Sequence, residues 1–264
     1  MRRVRALLAK EFLDLRRNRA ALVPVAMITV LSIAIPFAVV VGIPAATGQS
    51  LGDDPGLQRL SAVVGSEYEL SPNGRIELFL FQQFLMLFIL TPITGAMSLA
   101  AHAVIGEKQT RTLEPMLATP ITTLELLVAK VLGALLPTLA ISVVGLVLYF
   151  VLIAAVSDVG VFRAMLSVRS AILVLVLGPA AALVALQGAL VISSRVNDPR
   201  TAQQFAVLLI MPLAAALVGQ FVGRMWMSVA FLAFVGLGLF GVWVLLTLLS
   251  VALFERESIL TRWR

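Results

Sequence analysis

The sequence predicts an all-α polytopic membrane protein, with six transmembrane helices, an N-terminal amphipathic interfacial helix and a short cytoplasmic helix between spans 2 and 3. Three observations lead there. Hydrophobic residues make up 60% of the chain and the mean hydropathy is +1.03. Only 13% of residues are charged, against about 25% in soluble domains. Six apolar stretches reach the roughly 20 residues that a helix rising 1.5 Å per residue needs to cross a bilayer.

Taken in order, residues 1–20 form the interfacial helix. At about 100° per residue, Val4, Leu7, Leu8, Phe12 and Leu15 fall on one side and Arg3, Arg5 and Arg17 elsewhere. Glu11 and Asp14, with a long apolar run and no small-residue cleavage site after them, predict mature sequence rather than a signal peptide. Glu11 itself lies in the apolar sector. A buried carboxylate needs a partner, so it is expected to pair with a cytoplasmic Arg or Lys from another segment.

A single domain of six spans is expected over 21–264, at about 21–43, 78–105, 126–156, 171–193, 202–222 and 227–254. Each span interior is expected to be free of formal charge. The third and sixth are long enough to tilt.

The formal charge of +6 and the pI near 10.7 do not point to nucleic acid, because the basic residues cluster at the ends of the apolar runs. There they report topology. With a cytoplasmic N-terminus, fifteen Lys and Arg lie inside and five (Arg59, Arg75, Arg163, Arg169 and Arg224) outside. Both termini are therefore expected in the cytoplasm. Residues 106–125 and 194–201 are then cytoplasmic, and 44–77 is an external loop, acidic through Asp53, Asp54, Glu67, Glu69 and Glu77.

Residues 106–120, GEKQTRTLEPMLATP, are a charged insert between greasy spans. Thr112 is a candidate N-cap for a short helix with Leu113, Met116 and Leu117 on its apolar side, stopped by Pro120. In span 2, Gln83, Thr91, Thr94, Ser98 and His102 form a polar stripe. It reads either as helix–helix hydrogen bonding or as the wall of a passage. Asp198-Pro199 is an N-cap followed by a first-turn proline. Small-residue stripes run along span 5 (Ala215, Gly219, Gly223) and span 4 (Ala181, Ala185, Ala189). The pattern alone does not say which one meets another chain.

Three segments carry a family resemblance. Gly106, Glu107, Lys108, Gln109, Thr112, Leu113, Glu114, Leu117, Thr119, Pro120 and then Lys130 resemble the cytoplasmic signature of type-2 ABC exporter permeases. Ser193, Ser194, Gln203, Gln204 and Pro212 are similar to that family's region around the loop between spans 4 and 5. Lys10-Glu11 ahead of span 1 is similar too. The likeness runs through nearly the whole chain.

It implies a permease dimer, with a second copy or a close relative, lined mainly by spans 1, 2 and 5. Each chain carries a connecting helix and a coupling helix that docks on a separate nucleotide-binding ATPase subunit. On that basis Glu107, Thr112, Leu113, Glu114, Met116, Leu117 and Pro120 are the expected ATPase-coupling residues. Lys10, Glu11, Arg195 and Arg200 form an expected cytoplasmic polar network. Gln83, Thr91, Thr94 and Ser98 belong to the pathway, and Ala215, Gly219 and Gly223 to the dimer interface. ATP and Mg are expected in the partner, with no cofactor held by this chain. The expected location is a prokaryotic inner membrane.

The residues agree on what is missing. None of Lys10, Lys108 and Lys130 is followed by Ser or Thr, so there is no phosphate-cradling GxxxxGK[ST] loop. With no cysteine, disulfides and thiol chemistry are excluded, and a single histidine excludes a multi-His metal site. There is no HExxH and no placed Ser–His pair, which argues against an intramembrane hydrolase. An ion-coupled secondary transporter is the alternative; it lacks matching pairs of broken helices. Apolar spans with scattered Gln, Thr and Ser favour a hydrophobic or amphipathic cargo such as a small molecule or lipid.

Overall fold

The computed structural model describes residues 2–17, 19–62, 64, 68–111, 122–196, 198–221 and 227–253. Helix accounts for 88% of the structure, and there is no strand among those residues. The chain starts with α1 (Arg2–Arg17) and α2 (Arg19–Phe37), which passes through a π-helical stretch (Ala38–Gly42) into α3 (Ile43–Thr47). After a short 3₁₀ turn (Leu51–Asp53) come α4 (Pro55–Ser61), α5 (Pro72–Phe88), α6 (Leu90–Gln109) and the long α7 (Thr123–Val156). Two short helices, α8 (Val161–Met165) and α9 (Val168–Ile172), lead through a second π-helical stretch (Leu173–Leu177) into α10 (Gly178–Ser193). α11 (Pro199–Phe221) and α12 (Val229–Leu253) follow.

Five stretches are long and apolar enough to cross a membrane: Leu22–Thr47, Pro72–Gln109, Leu124–Val156, Val168–Ser193 and Val229–Val251. α11 adds a sixth if its halves, Pro199–Leu208 and Ile210–Gln220, which meet at 59°, form one span. Pro212 explains the bend: it has no N–H for the Leu208 carbonyl, and its ring crowds that carbonyl. Pro92 does the same to the second stretch. It cannot bond the Phe88 carbonyl, and the helix breaks at Ile89, one turn upstream.

The stretch expected to begin at 78 begins six residues earlier. Ser71 caps it, its hydroxyl accepting from Gly74 N–H at 2.8 Å, and Pro72 occupies the first turn. The region 44–77 is therefore not one loop. Three of its acidic residues, Asp53, Asp54 and Glu77, are structural. Asp54 caps α4 through Gly56 and Leu57 N–H, and Asp53 pairs with Ser50 across the 3₁₀ turn. Glu77 is buried in α5, accepting from Asn73 Nδ2 and from Asp158 N–H, each at 2.8 Å. A count of apolar residues misses such ends because capping side chains, not hydropathy, set where a helix starts.

The helices form an inner and an outer layer. In their most apolar windows, α5–α6 is 83% buried and the span ending in α10 is 61% buried. The corresponding values for the spans of α2, α7 and α12 are 17%, 22% and 11%. Small residues make the inner contact close. Ala96, Ala100 and Ala101 of α6 share a core with Ala181, Ala182, Ala185 and Ala189 of α10, all fully buried. The span 4 stripe is thus consumed inside the chain. Gly95 lets α2, α6 and α7 meet: a Cβ there would sit 2.5 Å from Thr138 Cγ2 and 3.0 Å from Val25 Cγ1. Gly95→Leu is therefore expected to cost about 1–3 kcal/mol through overpacking, measured as a lower thermal midpoint in detergent.

Candidate functional site

The last turn of α6 carries Glu107 and Lys108, consecutive residues that point in different directions. Glu107 is buried against α1 and α7. Lys130 of α7, 1% exposed, brings its Nζ within 2.6 Å of Glu107 Oε2, 3.4 Å of Glu11 Oε1 and 3.3 Å of the Ala103 carbonyl. Lys10 of α1 bonds the other oxygen of Glu107 and lies 3.7 Å from Asp14. The Lys130 ammonium donates hydrogen bonds to Glu11 Oε1 and to the Ala103 carbonyl. The 2.6 Å contact to Oε2 is an ion contact outside hydrogen-bond angles. The inner four groups, Lys10, Glu11, Glu107 and Lys130, carry two positive and two negative charges, so the cluster is neutral.

Lys108 closes the other side. Its Nζ donates to the carbonyls of Ser193, Ser194 and Val196 at 2.8, 2.9 and 3.0 Å. These lie at the C-terminal end of α10, where orphan carbonyls and the negative end of the helix dipole favour a cation. The end of α6 is thereby tied to α1, α7 and α10. Arg111, in the left-handed region at φ 53, then turns the chain out of α6. At the far side of the insert, Thr122 and Glu125 start α7 with a reciprocal capping box.

Gly133 makes the α1 contact possible. A Cβ there would lie 2.8 Å from Glu11 Cβ. Beside it, Glu11, Asp14, His102, Ala103 and Gly133 line a cavity of about 70 Å³. Burial pushes the Glu11 carboxyl up from its usual value, Lys130 pulls it down, and Glu107 adds to the rise. Burial opposes the charge on Lys10, but its bond to Glu107 and the nearby carboxylates outweigh that and raise its value.

A family model described as ABC-2 family transporter protein matches residues 5–234. The chain belongs to the ABC-2 transporter permease family. No curated protein and no solved structure matches it. Within this ABC-2 permease, Lys108 bonds the Ser193 and Ser194 carbonyls, so two of the segments that carried the resemblance are in contact.

The remaining expected site residues divide. Thr112, Leu113, Glu114, Met116, Leu117, Pro120 and Gly223 lie outside the described residues. Arg195 and Arg200 do not join the cluster: both are exposed and belong to none of the ion pairs among the described residues. The cations that do join are Lys10 and Lys130. Lys130 sits inside the stretch 126–156, which corrects the expectation of charge-free span interiors. One Lys among apolar residues leaves hydropathy high, which is why the stretch still scored as a span.

Gln83, Thr91 and Ser98 are 2%, 0% and 1% exposed. Gln83 exchanges hydrogen bonds with Gln220 of α11, at 2.9 Å to its carbonyl and 3.2 Å from its side-chain amide. Gln203 Nε2 donates to Ser98 Oγ at 3.4 Å. These bonds hold both ends of bent α11 to the α5–α6 span. Thr94 bonds the Leu90 carbonyl of its own helix, and His102 Nδ1 lies 2.9 Å from the Ser98 carbonyl. Asp198 caps α11 through Thr201 N–H at 2.9 Å. That backbone bond and the Thr201 hydroxyl hold its carboxyl below the usual range. On α11, Ala215 is exposed and Gly219 half-buried.

Two outcomes test the cluster. Lys130→Met strands a net negative charge and is expected to cost about 3–5 kcal/mol, whereas Lys130→Met combined with Glu11→Gln leaves the neutral Lys10–Glu107 pair and recovers much of it. Thermal denaturation of the single and double variants measures this. Because the native Glu11 carboxyl titrates above its usual 4.5, its contribution is full below that pH and is lost as pH rises through the native value. The thermal midpoint should therefore drop over that window in the parent chain and stay flatter in Glu11→Gln.

Proposed function

We propose that this ABC-2 permease is the membrane-spanning subunit of an ATP-driven exporter, working as a dimer with separate ATPase subunits. The termini and the 106–125 segment face the cytoplasm, and α1 lies in the cytoplasmic interface. The observation that carries the reading is the clamp at the root of that segment. Residues 112–120 leave α6 just after Glu107 and Lys108 and return to α7 just before Lys130. A force applied there reaches α1, α6, α7 and α10 together, because buried charge pairs and helix-end bonds transmit displacement without slack.

In this mechanism Leu113, Met116 and Leu117 fill a groove on an ATPase subunit, while Glu114 fixes orientation. ATP binding brings two ATPase subunits together and moves the docked segments. α6 and α7 carry the motion into the membrane. The bond pairs Gln83–Gln220 and Ser98–Gln203 must part or slide for a passage to open along α11, whose Ala215 and Gly219 face the second permease. The cargo is hydrophobic or amphipathic, and the membrane is the inner membrane of a prokaryote. The chain has no phosphate-binding loop, so hydrolysis belongs to the partner.

Co-expression with the ATPase and reconstitution into vesicles tests the docking role. Leu113→Asp is expected to lower cargo-stimulated ATP hydrolysis by at least about tenfold, as removal of a buried interface anchor does, with the spans still folded. Undiminished stimulation would refute it.

A further inference from the structure

At the end of the bundle away from α1, α7 and α8 form an open apolar groove of about 400 Å³. Its wall is one stripe of α7: Leu146, Val147, Phe150, Val151 and Ala154. These positions share a helix face, so the groove runs along the helix rather than into the bundle. Phe162 of α8 closes its end, edge-on to Phe150 with ring centroids 6.5 Å apart. From Lys130 to Ala154 is about 36 Å of helix at 1.5 Å per residue, which puts the groove a membrane thickness from the charge cluster.

The next residue after Phe162 is Arg163. It is exposed and takes part in none of the ion pairs among the described residues. Nearby Asp158 is engaged by Ser71 Oγ at 2.7 Å and by Asn73 Nδ2 at 3.5 Å. The rest of the α7–α9 connection exposes apolar side chains: Val159 at 96%, Leu166 at 63% and Val168 at 69%. A connection that exposes Val, Leu and Val around Arg163, while Arg169 is buried, fits the boundary between acyl chains and headgroups.

We propose that this groove binds a membrane phospholipid with a net negative headgroup: one acyl chain lies along the α7 stripe, and the headgroup phosphate sits on the Arg163 guanidinium. The stripe offers no polar group, so it recognises hydrocarbon. Arg163 supplies planar donors matched to phosphate oxygens and an exposed positive charge that separates anionic from zwitterionic lipid. The site is distinct from the ATP-coupling segment and does not require that reading, because occupancy is measured on the chain without any ATPase.

The full chain is placed in phosphatidylcholine nanodiscs doped with phosphatidylglycerol or phosphatidylcholine carrying a photoreactive acyl chain, and the labelled peptides are mapped. Labelling should concentrate on residues 146–162, with phosphatidylglycerol favoured about fivefold, the preference one basic residue gives at an anionic surface. Arg163→Gln, an exposed substitution that leaves the core intact, should abolish the preference while phosphatidylcholine labelling persists. Ala154→Phe, checked for an unchanged thermal midpoint, should lower labelling by both lipids. Equal labelling by the two lipids in the parent chain, or a preference that survives Arg163→Gln, overturns the proposal. So does chain-to-chain cross-linking through Val151→Cys, which is clean because the sequence has no cysteine, since it would put a second copy in the groove.

Discussion

An ammonium group buried in a membrane protein is tolerated only when nearby oxygens replace the water it gave up. Desolvating it costs several kcal/mol. Lys130 meets that condition with oxygens from α1 and α6, so the cluster does more than neutralise charge. It fixes where α1 docks, because Glu11 must reach α7, and it fixes the last turn of α6, because Glu107 must reach both lysines. Gly133 belongs to the same constraint: without the space it leaves, the backbone of α1 stands too far off for Glu11 to reach Lys130.

The remaining packing follows a related logic. In an apolar solvent there is little hydrophobic drive to join helices, so close contact and polar pairing hold them. Alanines bring α6 against α10, and a Gln83–Gln220 pair and a Gln203–Ser98 bond fasten α11 to α5 and α6 at both sides of its bend. Prolines at 92 and 212 break or bend helices that also carry those hydrogen bonds. α11 is thus held on both sides of its bend.

Apolar exposure has two meanings on this molecule. On α2, α7 and α12 it is spread along whole helices, as lipid contact requires. On the α7–α9 connection it is concentrated beside Arg163, where an exposed cation and an open groove give the surface chemical direction. Family membership comes from the run of residues as a whole, since the match covers 5–234.

That the chain is all-helical with five or six membrane-length apolar stretches was legible because hydropathy is a property of neighbouring residues summed over a window. The Asp198 cap was legible too, since capping acts across three residues. That Glu11 requires a cationic partner followed from its place in an apolar sector. Which cation answers did not follow: the partner lies 119 residues away, in a span assumed to be uncharged. Arg195 and Arg200 were as plausible by sequence, yet they point to solvent. The starts of α5 and α7, the breaks at Pro92 and Pro212, and the meeting of Lys108 with the end of α10 depend on hydrogen-bond partners rather than composition. The sequence by itself determined that the chain crosses a membrane several times and which segments are polar. Only the tertiary structure decided which charges neutralise one another and which small-residue stripe lies inside, because long-range pairing depends on how helices pack and not on local hydropathy.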